Sequence, residues 1–373
     1  HHSPLTRYTM HQNQNHCQKY TALGLMSGTS ADGIDAAIIE TDGFEQTRTL
    51  AAATFPYDAS FASELLEAAA THAATPDLVE RLTHLHYEAV HAVAAFLPGG
   101  LNRVNVIGFH GHTIAHNPAA GYTTQIGNGS LLAERTKRPV VFDFRSADVV
   151  AGGHGAPLVP IYHAALAQHL PKPLAIINIG GVANITYIGH DNKLLAFDTG
   201  TGNALINDAM QRCYGHAYDA NGATAATGTV HEDLLHEWLN HPFFALLPPK
   251  SLDRNTFAPI SAMACSLTEA DAIATLTAFT AAGIVAGLKH VPRPPERLLI
   301  TGGGVYNMTL RHMIYERSGL PIVSVAEVGW NPDSLEAEAF AFLAVRRLLN
   351  LPTSFPSTTG VSLPIVGGQL AQP

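Results

Sequence analysis

One stretch decides the fold: Gly24-Leu25-Met26-Ser27-Gly28-Thr29-Ser30-Ala31-Asp32-Gly33-Ile34-Asp35. Apolar residues precede it at 21–23 and follow it at 36–39, so it predicts a hairpin of two strands. Its glycines let the backbone approach a ligand closely, and successive N–H groups in such a turn form a concave anion site. The stretch lacks the Gly-Lys-Ser/Thr of a Walker loop and the glycine spacing of a dinucleotide fingerprint. We expect phosphate at this turn; the alternative is an ordinary hairpin with a glycine-rich turn.

The pattern recurs later in the chain, which favours the phosphate interpretation. Residues 174–188 again predict strand, Gly-Gly turn and strand, and 298–307 predict a strand that ends in three glycines. Between them, 196–203 place Asp198 at the end of an apolar run, before Thr-Gly-Thr-Gly. A two-lobed nucleotide clamp needs this order, with one hairpin per lobe for the phosphates and a further loop beside the base.

The ordered segments resemble the superfamily of sugar kinases, actin and Hsp70 ATPases, and within it the anhydro-N-acetylmuramic acid kinase family. The matching segments are residues 24–35, 109–116, 124–128, 143–158, 178–186, 197–203, 248–251 and 301–307. Three places depart from the family pattern. His112 and His154 stand where glutamine is usual, and Leu252-Asp253 interrupts the usual turn after Ser251.

The resemblance implies an α/β fold of the two-lobed actin-like ATPase type, a duplicated ribonuclease H-like fold with an interlobe cleft. We predict that residues 1–19 are a tag or disordered leader. Residues 20–170 are predicted to form lobe I, with the first phosphate hairpin and sugar-contacting loops. Residues 171–373 are predicted to form lobe II, with the second phosphate hairpin, the catalytic aspartate loop and the adenosine loop.

The resemblance also implies the chemistry. An ATP-dependent kinase, with Mg²⁺, would open 1,6-anhydro-N-acetylmuramic acid hydrolytically and phosphorylate O6, in peptidoglycan recycling. Asp198 would be the catalytic base and Glu336 a second catalytic acid. Independently of the resemblance, the acids of the first turn suit hydrated Mg²⁺, and we predict that Asp35 holds the metal through water. The family also allows for a homodimer.

The remaining predicted site residues fall into two groups. The residues predicted to bind ATP are Ser27, Gly28, Thr29, Ser30, Asp32, Gly33, Asp35, Asn178, Gly180, Gly181, Asn184, Gly302, Gly303, Gly304 and Asn307. The residues predicted to contact the sugar are His110, Thr113, Arg145, Gly200 and Asn203. Arg145 is a candidate partner for the lactyl carboxylate of a muramyl sugar, since a guanidinium matches a carboxylate with two parallel hydrogen bonds.

Several of these residues have structural alternatives. Asp198 could cap the helix predicted from Ala204, and Glu336 could simply complement the dipole of a first helical turn. Arg145 could form an ordinary surface pair with Asp148. The triple glycine could be a helix–strand packing turn.

Other functions also remain open at this stage. His110, His112 and His116 admit a zinc hydrolase, although no fourth ligand pattern lies near. Two further alternatives are another sugar kinase of the same fold and an ATPase switch like actin or Hsp70.

Composition narrows the class of protein. Only 14% of the 373 residues are charged, and the net charge of −9 gives no electrostatic attraction to nucleic acid or anionic lipid. Three scattered cysteines form no pair motif and suggest a reducing compartment, so we expect a cytoplasmic enzyme. The uncharged run at 272–288 is expected to be a buried helix rather than a membrane span. Ser334 is the expected N-cap of the last long helix.

Overall fold

The computed structural model describes residues 18–252 and 255–373. They form two compact units. Of the described residues, 18–169 and Asp333–Pro373 form the first unit, and those within Leu170–Pro332 form the second. The predicted leader at 1–19 lies outside the described residues except for Gln18 and Lys19. Asp253, part of the Leu252-Asp253 departure from the family pattern, also lies outside them.

The first unit is built around a seven-stranded mixed sheet. Its strands are β1 (Tyr20–Ser27), β2 (Gly33–Thr41), β3 (Thr47–Pro56), β4 (Val106–Asn117), β5 (Tyr122–Ile126), β6 (Val140–Phe142) and β12 (Gln369–Ala371). Its helices are α1 (Ala59–Thr71), α2 (Pro76–Ala94), α3 (Gly129–Thr136), α4 (Ser146–Val150), α5 (Pro160–Leu166), α12 (Leu335–Leu348) and α13 (Pro356–Thr359).

The second unit is built around a five-stranded sheet. Its strands are β7 (Leu174–Ile179), β8 (Val182–Ile188), β9 (Leu194–Thr201), β10 (Leu298–Thr301) and β11 (Ile322–Ser324). Its helices are α6 (Ala204–Tyr214), α7 (Ala223–Thr227), α8 (Glu232–Leu239), α9 (Ala258–Ala264), α10 (Glu269–Gly287) and α11 (Met308–Ser318).

The two sheets share one topology. In the first, the order β6-β4-β1-β2-β3 combines an antiparallel meander, β1 to β3, with two strands parallel to β1. In the second, β11-β10-β7-β8-β9 repeats this order and these directions. The repetition confirms the predicted α/β, duplicated ribonuclease H-like fold. It also confirms both predicted hairpins, because β1–β2 and β7–β8 are antiparallel pairs.

The C-terminal segment corrects the predicted lobe boundaries. Helix α12 packs on the sheet of the first unit so closely that a Cβ added to Gly24 of β1 would lie 1.7 Å from the carbonyl oxygen of Ala337. Strand β12 then pairs with β6. The predicted lobe II, residues 171–373, is therefore wrong from Asp333 onward. The chain returns to the first unit because glycines in its sheet leave room for the backbone of α12.

Two expectations about helices have different outcomes. Helix α10 contains an apolar window long enough to cross a membrane, yet 78% of that window is buried, which confirms a core helix. Ser334 precedes α12 as predicted, but its side chain makes no cap. Its hydroxyl instead donates to Oε2 of the buried Glu338, at 2.6 Å.

Candidate active site

The first glycine turn joins β1 to β2 and combines packed with open positions. A Cβ on Gly33 would lie 2.6 Å from the carbonyl oxygen of Phe55, so this glycine serves the packing of the hairpin on β3. At Gly28, by contrast, the nearest atom to an added Cβ is the Ser30 hydroxyl oxygen at 3.9 Å. Thr29, Ser30 and Asp32 are exposed. The open part of the turn therefore fits an approaching phosphate.

Ser27 is held inside the unit. Its hydroxyl oxygen lies 2.7 Å from the hydroxyl oxygen of Tyr57 and 2.8 Å from Nδ1 of His112, and the residue is 1% exposed. His112, one of the departures from the family pattern, thus contacts the end of β1. Burial lowers the pKa of His112 to about 4, so its ring is neutral at pH 7.

Asp35 lies on β2 beside other acids. Thr54 Oγ1 donates to its carboxylate at 2.7 Å. Burial raises the pKa of Asp35, and the negative charges of Asp32 and Asp333 raise it further. A cation nearby would relieve this repulsion. Within the described residues no cluster of three or more acidic, histidine or cysteine side chains could hold a metal ion, so the protein offers no metal cage there. The same observation leaves the zinc alternative without support in the described residues.

His110 and Arg145 form the best-defined polar contact of the first unit. Arg145 Nε donates to His110 Nε2 at 2.9 Å, and its Nη1 donates to the carbonyl oxygen of Gly155 at 2.9 Å. His110 Nδ1 lies 2.9 Å from the carbonyl oxygen of Gly111, so the ring donates there and accepts from Arg145. Burial lowers the pKa of His110, which keeps the acceptor nitrogen unprotonated.

Asp148 does not form the alternative surface pair with Arg145. It is 1% exposed and accepts hydrogen bonds from the Gly155 N–H at 2.7 Å and from the hydroxyls of Ser354 and Thr359, each at 2.5 Å. Asp148 therefore fixes the loop whose carbonyl group holds Arg145. The remaining N–H groups of Arg145 are available for an anionic partner.

Glu336 lies in the first turn of α12 and is solvent-accessible. Partial desolvation raises its pKa, the charge of Arg145 opposes this, and the charge of Asp35 reinforces it. Glu336 is therefore within electrostatic range of both Arg145 and Asp35 in the first unit. Thr113 accepts a hydrogen bond from Gln125 Nε2 at 3.2 Å.

In the second unit, polar residues form a row across four strands. Thr301, Asn178, Asn184 and Asp198 are register partners on β10, β7, β8 and β9. Directly paired residues project to the same face of a sheet. Three residues predicted separately from the sequence, Asn178, Asn184 and Asp198, are thereby brought together.

The glycine loops of the second unit meet at the end of this row. The Asn203 N–H donates to the carbonyl oxygen of Gly180 at 2.7 Å, and the Gly202 N–H donates to that of Gly181 at 2.8 Å. A Cβ on Gly302 would lie 2.5 Å from Oδ1 of Asn178. The hairpin turn, the loop after β9 and the triple glycine are therefore in contact.

The individual glycines in these loops have different roles. A Cβ on Gly180, Gly181 or Gly303 would find no atom closer than 3.7 Å, so a ligand can approach these positions. Gly302 and Gly304 are instead required for packing against β7, because an added Cβ would come within 2.5 Å of Asn178 or Ile179. The alternative of a helix–strand packing turn therefore holds for Gly302 and Gly304, whereas Gly303 is accessible to a ligand.

Three other predicted residues have structural contacts. Asn307 caps α11, because its Oδ1 accepts from the Leu310 N–H at 2.9 Å. Gly200 is buried in β9, and the nearest atom to an added Cβ would be a ring carbon of Phe244 at 3.5 Å. Asn203 Nδ2 donates to the carbonyl oxygen of Ile179 at 3.2 Å.

Asp198 is the most perturbed carboxylate of the second unit. Its Oδ2 accepts from the Leu252 N–H at 2.7 Å, and its own N–H donates to the carbonyl oxygen of Lys250 at 2.9 Å. Burial raises the pKa of Asp198 to about 7, against the opposing effects of the Leu252 hydrogen bond and the charge of Lys250. The predicted alternative, a cap for α6, is wrong, because Asn203 occupies the N-cap position. A carboxylate with a pKa near 7 can accept a proton at neutral pH.

Sequence reasoning assigned no role to Lys250 or Tyr57. Lys250 lies in a segment that matched the family, at residues 248–251, and its burial was the missing information. Tyr57 contacts the end of β1 from a position thirty residues away in sequence, with no local pattern to mark it.

The comparisons with known proteins agree on one family. The model of the anhydro-N-acetylmuramic acid kinase family matches residues 20–372. The anhydro-N-acetylmuramic acid kinase of Azorhizobium caulinodans is 49% identical over 368 residues, covering 94% of this chain and 99% of that protein. The enzyme of the same name from Zymomonas mobilis is 46% identical over 364 residues, with 94% and 99% covered.

Solved structures are more distant. The xylulose kinase from Lactobacillus acidophilus aligns with a TM-score of 0.46 and 10% identity, covering 95% of this chain and 94% of that chain. That likeness is too weak to bear on the assignment, which rests on the family model and the close relatives. Since the match extends over almost the whole length of both partners, this chain belongs to the anhydro-N-acetylmuramic acid kinase family.

Proposed function

We propose that this chain uses ATP and water to convert 1,6-anhydro-N-acetylmuramic acid into N-acetylmuramic acid 6-phosphate and ADP, as a cytoplasmic enzyme of peptidoglycan recycling. The observation that carries the proposal is Asp198, a half-buried carboxylate whose pKa is raised to about 7 and which lies beside open glycine turns. The names of the relatives supply the substrate class.

Each unit has open turns, at Gly28 in the first and at Gly180, Gly181 and Gly303 in the second, and their unobstructed backbones fit phosphate oxygens. ATP supplies the phosphoryl group. Asp35 and Asp32 fit Mg²⁺ through water, because Mg²⁺ in such sites keeps several waters and is held largely by phosphates. We propose Ser27 as a support of the first turn rather than a direct donor, because its hydroxyl already contacts Tyr57 and His112.

The sugar is proposed to bind through its lactyl carboxylate to Arg145, whose orientation is fixed by His110 and Gly155. Asp198 takes a proton from a water molecule as the water oxygen bonds to C1. The bond between C1 and the bridging oxygen breaks, and O6 then accepts the phosphoryl group. Glu336, whose pKa is raised, is proposed as a second acid near the sugar.

The test compares ADP release by the native chain and by Asp198→Asn, with ATP, Mg²⁺ and the anhydro sugar. We expect sugar-dependent release that the substitution reduces by a factor of about 100 to 10,000, the usual contribution of a positioned general base. Asp191→Asn is the matched control, because Asp191 forms an exposed pair with Lys193 in the same unit. It should retain native activity.

The outcomes separate substrate from mechanism. If folded, ATP-binding native protein releases no ADP in response to the anhydro sugar, the substrate assignment is wrong and a panel of hexoses is the next test. If Asp198→Asn keeps native activity, the kinase assignment stands and Asp198 loses its role. Size-exclusion chromatography with light scattering tests the homodimer that the family resemblance allows.

A further inference from the structure

Lys250 is a buried cation that the proposed reaction does not use. It is 7% exposed, and its ammonium donates to the carbonyl oxygen of Phe243 at 2.9 Å. The ammonium lies 4.5 Å from the ring centroid of Phe243 and 6.0 Å from that of Phe197. Among the ion pairs of residues 18–252 and 255–373, none includes Lys250.

An ammonium in this position is not explained by stability. Burying a charge removes its hydration, and an apolar side chain of similar length would pack against the same rings without that cost. Desolvation indeed lowers the pKa of Lys250 to about 8. A residue kept at such a cost needs another explanation.

The same residue holds Asp198 by its backbone. The Lys250 carbonyl oxygen accepts from the Asp198 N–H at 2.9 Å, and two residues later the Leu252 N–H donates to the Asp198 carboxylate at 2.7 Å. Residues 250–252 therefore flank Asp198 within β9. The ammonium and the carboxylate come from one small region of the second unit, and each charge favours the ionised form of the other.

We propose that Lys250 is a positioning residue for Asp198: its loop fixes the carboxylate through two hydrogen bonds, and its buried ammonium favours the charged carboxylate. The inference rests on the proposed function, in which Asp198 is the base, and deepens it. The base must be deprotonated to accept a proton from water. A buried cation that forms no ion pair within the described part of the chain is suited to this task, because solvent screens it little.

Among residues 18–252 and 255–373, two histidines contact the phenylalanines around Lys250. His290 lies 3.0 Å from the carbonyl oxygen of Phe244 through Nε2, and its ring packs against Phe197. His241 accepts from the Phe243 N–H at 3.1 Å. Lys250 substitutions leave both histidines in place, so a change that follows these substitutions alone identifies the ammonium as its source.

The experiment measures the pH profile of kcat/KM for sugar-dependent ADP release in Lys250→Gln. Glutamine keeps a donor for the Phe243 carbonyl group and removes the charge. We expect the acid limb, which lies near pH 7 in the native enzyme, to move to higher pH, because the carboxylate loses a neighbouring positive charge. The rate at pH 7 should fall up to about tenfold and recover at pH 9. Lys250→Arg should leave the acid limb at its native pH, and the surface control Lys193→Gln should show the native pH profile.

A second readout does not depend on activity. Titration of ¹³C-labelled aspartate carboxyls by NMR, with the Asp198 signal assigned by its loss in Asp198→Asn, should show a higher pKa of Asp198 in Lys250→Gln. Lys250→Met replaces the glutamine variant if that variant unfolds. An unchanged acid limb together with an unchanged Asp198 titration would overturn the inference. Absence of sugar-dependent activity in the native enzyme would overturn the proposed function instead, and the NMR titration would still decide the role of Lys250.

Discussion

The replacement Gly24→Ala tests how closely α12 lies against the sheet of the first unit. A Cβ at position 24 would lie 1.7 Å from the carbonyl oxygen of Ala337 and 2.7 Å from the backbone nitrogen of Ala341. Both obstacles are backbone atoms of a helix, so no side chain can rotate away. The helix would have to move by about 1.5 Å to restore an ordinary carbon–oxygen contact.

The cost can be placed near the upper end of the range for overpacked cores, at about 3 kcal/mol, because a whole helix must shift. In a unit of roughly 200 residues, each kcal/mol lowers Tm by about 2–4 °C, so we expect a loss of about 6–12 °C. The measurement is thermal unfolding followed by circular dichroism or calorimetry.

Gly28→Ala is the matched control for stability. It makes the same chemical change four residues away, where the nearest atom to the new Cβ is the Ser30 hydroxyl oxygen at 3.9 Å. Its Tm should stay within about 1 °C of the native value, because nothing has to move. Equal Tm values for the two variants would refute the close approach of α12 to β1.

The same variant has a functional consequence. Glu336 immediately precedes Ala337, the residue that Gly24→Ala displaces. We therefore expect sugar-dependent turnover to fall even at temperatures where the variant is fully folded, since an error of about 1 Å in a catalytic group can cost about 100-fold. Native turnover in a folded variant would show that the position of Glu336 does not matter to the reaction.

Three further predictions follow from the site. Arg145→Lys should lower kcat/KM for the anhydro sugar about 10–100-fold with little change in the KM for ATP, because a lysine cannot contact both His110 and Gly155 as the guanidinium does. An equal loss of kcat/KM with a sugar that lacks the lactyl group would contradict this prediction. Asp148→Ala should destabilise the first unit by about 3 kcal/mol in urea unfolding, because it leaves buried donors without their carboxylate, and native stability would show that they find other acceptors. Asp198→Asn should be more stable than the native chain at pH 8. Burial raises the native pKa of Asp198 to about 7, so the stability that the protonated carboxyl contributes is fully present below the pKa of the unfolded chain and is lost as the pH rises through about 7. A stability difference between variant and native chain that does not vary between pH 4 and pH 8 would contradict the raised pKa.

The sequence by itself determined the two glycine-turn hairpins and the candidate base. The turn between β1 and β2 and the one between β7 and β8 follow from local chemistry, because glycines and polar residues between apolar runs leave the backbone few other conformations. The repetition of that pattern was enough to predict a duplicated fold. Asp198 could be singled out because it ends an apolar run before a glycine loop.

Only the tertiary structure decided what each residue in these turns does. Gly28 and Gly24 look alike in sequence, yet one faces open space and the other α12, more than 300 residues away. Ser27 is predicted from its turn to bind ATP, and in the fold its hydroxyl is buried beside His112.

The same holds for the charges and for the last segment of the chain. The pKa of Asp198 depends on burial and on Lys250, and the return of residues 333–373 to the first unit depends on the space that Gly24 leaves for a helix. Local sequence fixes backbone dihedral angles and turn hydrogen bonds, whereas burial, electrostatics and close packing depend on atoms that are distant in sequence, and only the complete fold specifies those.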